Sequence, residues 1–129
     1  MSQENVETSK RFLDALTRRD YEAAAREVGP GLEINDTDIP ESTSSDSLFT
    51  WLARWDETWE DWRFEDLEIR AVGNDRAVHL FTMVVTGKGS GIELSRKDAH
   101  VAEYRDGKMV RISYYNDQNE ALDAARLRE

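Results

Sequence analysis

The spacing of hydrophobic residues along the chain changes near position 62. Before that point apolar residues recur three and four positions apart, as in amphipathic helices; after it they alternate with polar residues, as in strands. In the first half we predict helices over 3–18, 21–28 and 47–60 and a short strand over 32–35. Gly29, Pro30 and Gly31 are expected to end the second helix, because proline cannot continue a helix.

The second half is predicted to form four strands and a last helix. The strands span 62–72, 76–86, 92–104 and 108–116, and the helix spans 118–126. Asp106-Gly107, between the last two strands, is a strong hairpin signal because glycine adopts positive φ at little cost. The order α-α-β-α-β-β-β-β-α predicts an α+β fold, with a curved antiparallel sheet wrapped over the helices, in a single domain over 1–129.

Strand alternation places polar side chains among apolar ones on three shared faces. The first face carries Ala77, His79, Phe81, Met83 and Val85; the second carries Arg96, Asp98, His100, Ala102 and Tyr104; the third carries Val110, Ile112, Tyr114 and Asn116. A histidine, an aspartate and a tyrosine among apolar neighbours are what a small acid–base pocket needs. A partly exposed sheet can carry the same residues without any chemistry.

Tryptophan is concentrated on the predicted third helix. Its apolar stripe consists of Leu48, Trp51, Leu52, Trp55 and Trp59. Large aromatic side chains bury much area, so the stripe can be core, or it can be the wall of a pocket for an apolar ligand. The polar stretch 41–45 just before this helix is expected to be a mobile loop at the mouth of the fold.

Composition narrows the function. The formal net charge of -10 argues against nucleic acid and anionic membrane surfaces as partners. The absence of cysteine excludes disulfides and thiolate chemistry and fits a cytoplasmic location. The N-terminus is polar, and no run approaches the ~20 apolar residues that a membrane span needs, so neither a signal peptide nor a membrane segment is expected.

The face opposite His79 also carries apolar residues. Val78, Leu80 and Val84 are expected to point outward from the sheet. Apolar residues on an outer face suggest a partner sheet, so we predict a homodimer formed through this face.

Short motifs in order along the whole chain resemble a known family. They are Asn5-Val6, Asp20-Tyr21, the acidic turn from Glu33 to Pro40, Ala99-His100-Val101, the segment from Arg105 to Val110, and Tyr115 to Asp117 before Glu120-Ala121-Leu122. In these the chain resembles the SnoaL-like branch of the nuclear transport factor 2-like superfamily. The resemblance implies a cone-shaped, cystatin-like α+β barrel with a pocket lined by the helices and the concave sheet face.

The active sites of three kinds of enzyme in that superfamily can be compared with this sequence, position by position. Steroid isomerases place a carboxylate base after the first strand, where Asp36 stands, but their tyrosine and acid correspond here to Phe12 and His100. The epoxide hydrolase triad corresponds to Phe81, Met83 and Tyr114, and the acid–base aspartate of the polyketide cyclases also corresponds to Tyr114. The fold therefore carries over, but no specific activity does.

The candidate catalytic residues are Asp36, Asp98, His100 and Tyr114. A carboxylate under apolar walls can serve as a base, His100 can polarise a carbonyl or shuttle a proton, and Tyr114 can donate a hydrogen bond to an enolate. The carboxylates and Tyr114 also have a purely structural interpretation: Asp36 or Asp38 can bond its own turn, Asp98 can pair with Arg96, and Tyr114 can simply pack. A one-residue slip in the turn exchanges Asp36 and Asp38.

The predicted function is acid–base proton transfer on a small hydrophobic carbonyl compound, without a cofactor. The predicted ligand-binding residues are Phe12, Leu16, Trp51, Trp55, Trp59, His79, Phe81, Met83 and Ile112. His79 can equally be a core histidine. No metal site is predicted, because His79 and His100 lack the spacing of a metal motif. A non-catalytic binding protein is the main alternative, and an assembly module is a third.

Overall fold

The computed structural model describes residues 2–36 and 47–127, which form four helices and five strands. The elements are α1 (Ser2–Thr17), α2 (Tyr21–Ala25), β1 (Val28–Asp36), α3 (Ser47–Thr58), β2 (Trp59–Val72), β3 (Arg76–Gly87), β4 (Glu93–Arg105), β5 (Lys108–Tyr115) and α4 (Gln118–Leu127). The predicted α+β fold and element order are confirmed. Asp38 and the predicted loop at 41–45 lie outside the described residues.

The five strands form one sheet in the order β1-β5-β4-β3-β2. Neighbouring strands are antiparallel from β2 to β5, whereas β1 is parallel to β5 at the sheet edge. One face of the sheet packs against α1, α2 and α3 around a core that includes Phe12, Leu16, Trp51, Phe81 and Ile112. Because β1 lies beside β5, the first strand can contribute a side chain next to the last one.

Strand β1 begins earlier than predicted. Gly29, Pro30 and Gly31 were expected only to stop a helix, but they belong to β1, and α2 already ends at Ala25. An edge strand tolerates proline because one side of it needs no ladder hydrogen bonds. Gly31 has φ +75°, and the pairing register shifts between Val28 and Glu33.

The predicted inner face of β3 is confirmed, since Ala77, Phe81, Met83 and Val85 all belong to the core. The predicted face of β5 is wrong at one position. Tyr104 pairs with Met109, while Ala102 pairs with Ile112, so β5 has an irregularity there. Met109 is fully buried and Val110 is only partly buried, because an extra residue in one strand reverses the alternation of side chains.

Helix α4 covers the outer sheet face. Its Ala121 and Ala125 pack in one cluster with Val78, Leu80, Ala99 and Val101. Arg76 Nη1 donates to the Ala125 carbonyl at 3.0 Å and holds the end of the helix. Val78 and Leu80 are thus covered by their own chain, and Val84 is also buried. Because these residues are already buried within one chain, they do not support the predicted homodimer, which stays a prediction.

Among the described helices, none is both long enough and apolar enough to cross a membrane.

Candidate functional site

A cleft opens between the C-terminal end of α3 and strands β3 and β4. Its volume is about 510 Å³, and its wall includes Trp55, Thr58, Trp59, Met83, Val85, Leu94, Ser95, Arg96 and Asp98. Trp55 and Thr58 come from the end of α3, and Trp59 follows directly as the first residue of β2. Among the described residues, the charged ones on this wall are Arg96 and Asp98, two positions apart on β4. This part of the cleft therefore combines an apolar surface with the carboxylate of Asp98.

Asp98 is held by three hydrogen bonds from two side chains. Arg96 donates through Nε to Oδ1 at 2.6 Å and through Nη2 to Oδ2 at 3.1 Å. The Tyr114 hydroxyl donates to Oδ2 at 2.5 Å. The Asp98 side chain is only 1% exposed, whereas that of Arg96 is 49% exposed. A guanidinium paired in this bidentate way stabilises a buried carboxylate in its charged form.

The Tyr114 hydroxyl binds the Asp98 carboxylate, and Tyr114 does not line the cleft. Burial first, and then the negative charge of Asp98, raise the pKa of Tyr114 far above its usual value. The hydroxyl therefore stays protonated, and its hydrogen is used in the bond to Asp98. The predicted donation from Tyr114 to an enolate would require this bond to break.

A second, much smaller cavity lies deeper in the core. Its volume is about 10 Å³, which is room for about one water-sized group. Its wall includes Leu16, Trp51, Leu52, Trp55, Trp62, Phe64, Met83, His100 and Tyr114. Trp55 and Met83 line both the cleft and this cavity, so the two spaces share a wall.

The two histidines form a buried pair. They are direct partners on β3 and β4, and their Nδ1 atoms are 3.2 Å apart. Both are fully buried. Burial lowers the pKa of His79 to about 3, and burial together with the neighbouring His79 lowers the pKa of His100 well below its usual value. Both imidazoles are neutral at pH 7 as a result.

Hydrogen bonds connect the histidine pair to a residue of helix α1. His79 Nε2 is 2.7 Å from Ser9 Oγ, which in turn shares a short hydrogen bond with the Tyr104 hydroxyl. Sequence reasoning missed Ser9, although one signal was present: a small polar residue on the same helix as Phe12, Leu13 and Leu16. Such a residue is fully buried here because its hydroxyl has two partners.

Asp36 lies beside this group but faces neither cavity. It is 4% exposed at the end of β1, and it is the β-ladder partner of Tyr114. Trp51 Nε1 donates to Asp36 Oδ2 at 2.7 Å. Asp36 is on neither of the two cavity walls. Of the two predicted carboxylates that the structure describes, Asp98 is therefore the one that a ligand in the cleft can reach.

The predicted ligand-binding residues fall into three groups. Trp55, Trp59 and Met83 line the cleft, whereas Leu16 and Trp51 line the deep cavity. Phe81 stands behind His100, with ring centroids 4.7 Å apart. The third group is buried and lines neither space: Phe12, His79, Phe81 and Ile112. Sequence reasoning missed five residues of the cleft wall: Thr58, Val85, Leu94, Ser95 and Arg96.

Within residues 2–36 and 47–127, no three His, Asp or Glu side chains are grouped so that they could hold a metal ion together.

The five-stranded sheet with helices packed on one face is a fold that this chain shares with a solved structure described as NTF2-like. Residues 9–112 match the SnoaL-like domain, and the chain belongs to the SnoaL-like family. No curated protein matches the sequence.

Solved structures show the same fold at low identity. A proposed polyketide cyclase from Xanthomonas campestris pv. campestris is 14% identical, with a TM-score of 0.80 over 96% of this chain and 98% of that one. A protein of unknown function from Burkholderia pseudomallei K96243, described as NTF2-like, is 19% identical, with a TM-score of 0.77 over 93% and 95%. TerC, co-crystallised with polyporic acid, is 20% identical, with a TM-score of 0.76 over 95% and 98%.

Proposed function

We propose that this protein is a small-molecule enzyme that moves a proton next to the carbonyl group of a small hydrophobic compound. The class covers isomerisation, aldol cyclisation and dehydration. The observation that carries the proposal is Asp98, a buried carboxylate on the wall of an apolar cleft of about 510 Å³. The names of two proteins with a similar fold, the proposed polyketide cyclase and TerC with polyporic acid, support a small-molecule ligand.

Asp98 is the proton acceptor in this proposal. Arg96 pairs with its carboxylate, and the Tyr114 hydroxyl fixes the position of Oδ2. A ligand body packed against Trp55 and Trp59 would place a carbon next to its carbonyl within reach of the carboxylate. Excluding water around these groups strengthens their electrostatic effect on the reacting atoms.

A non-catalytic binding protein is the second candidate, and one observation favours it. Both oxygens of Asp98 already accept hydrogen bonds from Arg96 and Tyr114. A carboxylate with its charge compensated in this way can be purely structural. The same cleft would then hold a hydrophobic molecule without changing it.

Proton exchange separates the two candidates. The probe is 2-tetralone, a small aromatic ketone with acidic hydrogens next to its carbonyl. Its binding is followed by tryptophan fluorescence, since Trp55 and Trp59 line the cleft, and its exchange in D₂O is followed by proton NMR. We expect the wild-type protein to accelerate exchange and Asp98→Asn to lose about 100-fold or more of that acceleration.

The control is Asp123→Asn, an exposed aspartate on α4, which should leave the exchange rate unchanged. Binding without accelerated exchange in the wild type would refute the enzyme and support the binding protein. Failure of 2-tetralone to bind at all would contradict the proposed ligand class. Circular dichroism of each variant verifies that the fold is kept.

A further inference from the structure

A buried chain of hydrogen bonds has no part in the proton transfer proposed above. It runs from the Tyr104 hydroxyl to Ser9 Oγ, on to His79 Nε2 at 2.7 Å, and from His79 Nδ1 to His100 Nδ1 at 3.2 Å. All four residues are buried. At the far end, His100 Nε2 has no hydrogen-bond partner among the residues that the structure describes.

These hydrogen bonds can be arranged in three ways, because each link needs one donor, a neutral imidazole carries one N–H, and a serine hydroxyl can donate once and accept twice. In the first direction Tyr104 donates to Ser9, Ser9 donates to His79 Nε2, and His79 Nδ1–H donates to His100 Nδ1. His100 then carries its hydrogen on Nε2. Of the four residues joined by these hydrogen bonds, only His100 then has a group without a partner among the described residues, its Nε2–H.

The reverse direction leaves two groups unsatisfied. His100 would donate through Nδ1–H, and Ser9 would donate its hydrogen to the Tyr104 oxygen. The Tyr104 hydroxyl hydrogen would then have no acceptor within residues 2–36 and 47–127, and His100 Nε2 would be an unpartnered acceptor. In the third arrangement Ser9 accepts from both the Tyr104 hydroxyl and His79 Nε2–H, which leaves the Ser9 hydrogen and His100 Nε2 without partners among the described residues. Buried polar groups without partners are unfavourable, so the first direction is preferred.

We propose that His100 is a neutral Nε2–H donor for the carbonyl oxygen of the ligand, and that Ser9, His79 and Tyr104 are positioning residues that fix this tautomer. The ligand class rests on the function proposed above. No proton leaves His100: its N–H stabilises the charge that develops on the oxygen while Asp98 accepts the proton from carbon.

The space and a second donor fit an oxygen atom. His100 lines the deep cavity, whose volume of about 10 Å³ suits one oxygen-sized group. Trp55 lines both this cavity and the cleft, and its Nε1–H, which can only donate, is also unpartnered among the described residues. Met83 is on both walls as well, and its flexible side chain can move to let a carbonyl pass inward.

The tautomer can be measured directly in the wild-type protein without ligand. Long-range proton–nitrogen NMR of ¹⁵N-histidine-labelled protein near pH 7 reports which ring nitrogen carries hydrogen, and His79→Gln assigns the two rings. We expect hydrogen on Nε2 of His100 and on Nδ1 of His79. Hydrogen on Nδ1 of His100 would overturn the proposal, whether or not the protein accelerates proton exchange.

Ser9→Ala tests the positioning role. Without the serine hydroxyl, both directions leave the same number of unpartnered groups on the two rings, so we expect His100 to populate both tautomers. The matched control is Thr8→Ala, a buried hydroxyl on the same helix that donates to the Gly107 carbonyl instead. An unchanged His100 tautomer in folded Ser9→Ala would show that Ser9 does not position it.

The donor role is tested with carbonyl-labelled 2-tetralone by infrared spectroscopy. We expect the carbonyl stretch of the bound probe to lie below its value in hexane, with the shift clearly reduced in His100→Leu, where only the Trp55 Nε1–H remains as a donor, and largely kept in His100→Gln. An equal shift in wild type and His100→Leu would refute the donor role. A shifted carbonyl without accelerated proton exchange would instead refute the proposed enzyme and leave this inference standing.

Discussion

Buried polar residues in this protein are accommodated in two different ways. Asp98 pairs with Arg96 in a bidentate ion pair. His79 and His100 lie on neighbouring strands and are neutral because burial lowers the pKa of both. An ion pair and two neutral imidazoles are therefore found in the same sheet.

The buried imidazoles predict a loss of stability in mild acid. The pKa of His79 is about 3 in the folded state and about 6.5 when unfolded, so below pH 6.5 the unfolded chain binds more protons. The contribution is fully present above pH 6.5 and is lost as pH falls towards about 3. Between about pH 7 and about pH 5.5 we expect the free energy of unfolding to fall by about 1 kcal/mol per histidine.

Urea unfolding at the two pH values measures this effect. His79→Gln is the comparison, because it removes one titrating ring and leaves every carboxylate in place. Its free energy of unfolding should change less with pH than that of the wild type. An equal change in both proteins would show that His79 is not the titrating group.

At the scale of elements, helix α4 covers apolar residues on the outer face of the sheet within the same chain. Ala121 and Ala125 are fully buried against β3 and β4, and Arg76 binds the last turn through the Ala125 carbonyl. Small side chains let the helix lie close to the sheet. The apolar residues of this face are thereby removed from water without a second subunit.

Ala121→Glu should displace α4. An unpaired carboxylate would be buried against Val78 and Leu80, and we expect the protein to lose about 3 kcal/mol or more of stability. Asn119→Glu places the same side chain at an exposed position on the same helix and should cost little. Urea unfolding of the two variants makes the comparison. Similar losses in both would mean that α4 contributes no packing to the sheet.

The elements also show which features sequence alone could predict. Periodicity predicted the helices, the strands and the inner face of β3, because each depends on spacing within one segment. It could not predict that β1 lies parallel to β5 or that α4 covers Val78, because such contacts join distant segments. At the site, Asp98 and His100 could be proposed from alternation. The partnership of His79 with Ser9 required the packing of α1 onto the sheet.

At the scale of the whole molecule, the excess negative charge of the protein does not extend to the described part of the cleft wall. The formal net charge of -10 is large, but the charged residues that the structure describes on the cleft wall are Arg96 and Asp98, which form an ion pair. The rest of the wall is mostly apolar. Burial of apolar surface rather than charge would then drive binding, which favours a neutral hydrophobic ligand.

Such a ligand should stabilise the folded molecule as a whole. A compound that binds only the folded state at about 100 times its Kd raises the free energy of unfolding by about 2.7 kcal/mol. We expect 2-tetralone to have this effect. Trp59→Ala removes an aromatic wall of the cleft and should weaken binding about tenfold, which reduces the stabilisation at the same ligand concentration by about 1.4 kcal/mol.

The matched control is Phe49→Ala, which truncates a half-exposed aromatic ring on α3 that is not on the cleft wall. Urea unfolding of wild type and both variants, with and without 2-tetralone, gives the ligand-dependent part separately from any intrinsic change in stability. If the ligand stabilises wild type and Phe49→Ala equally but Trp59→Ala less, it binds in the cleft. An equal loss in the two variants would place the ligand elsewhere and remove Asp98 from its reach.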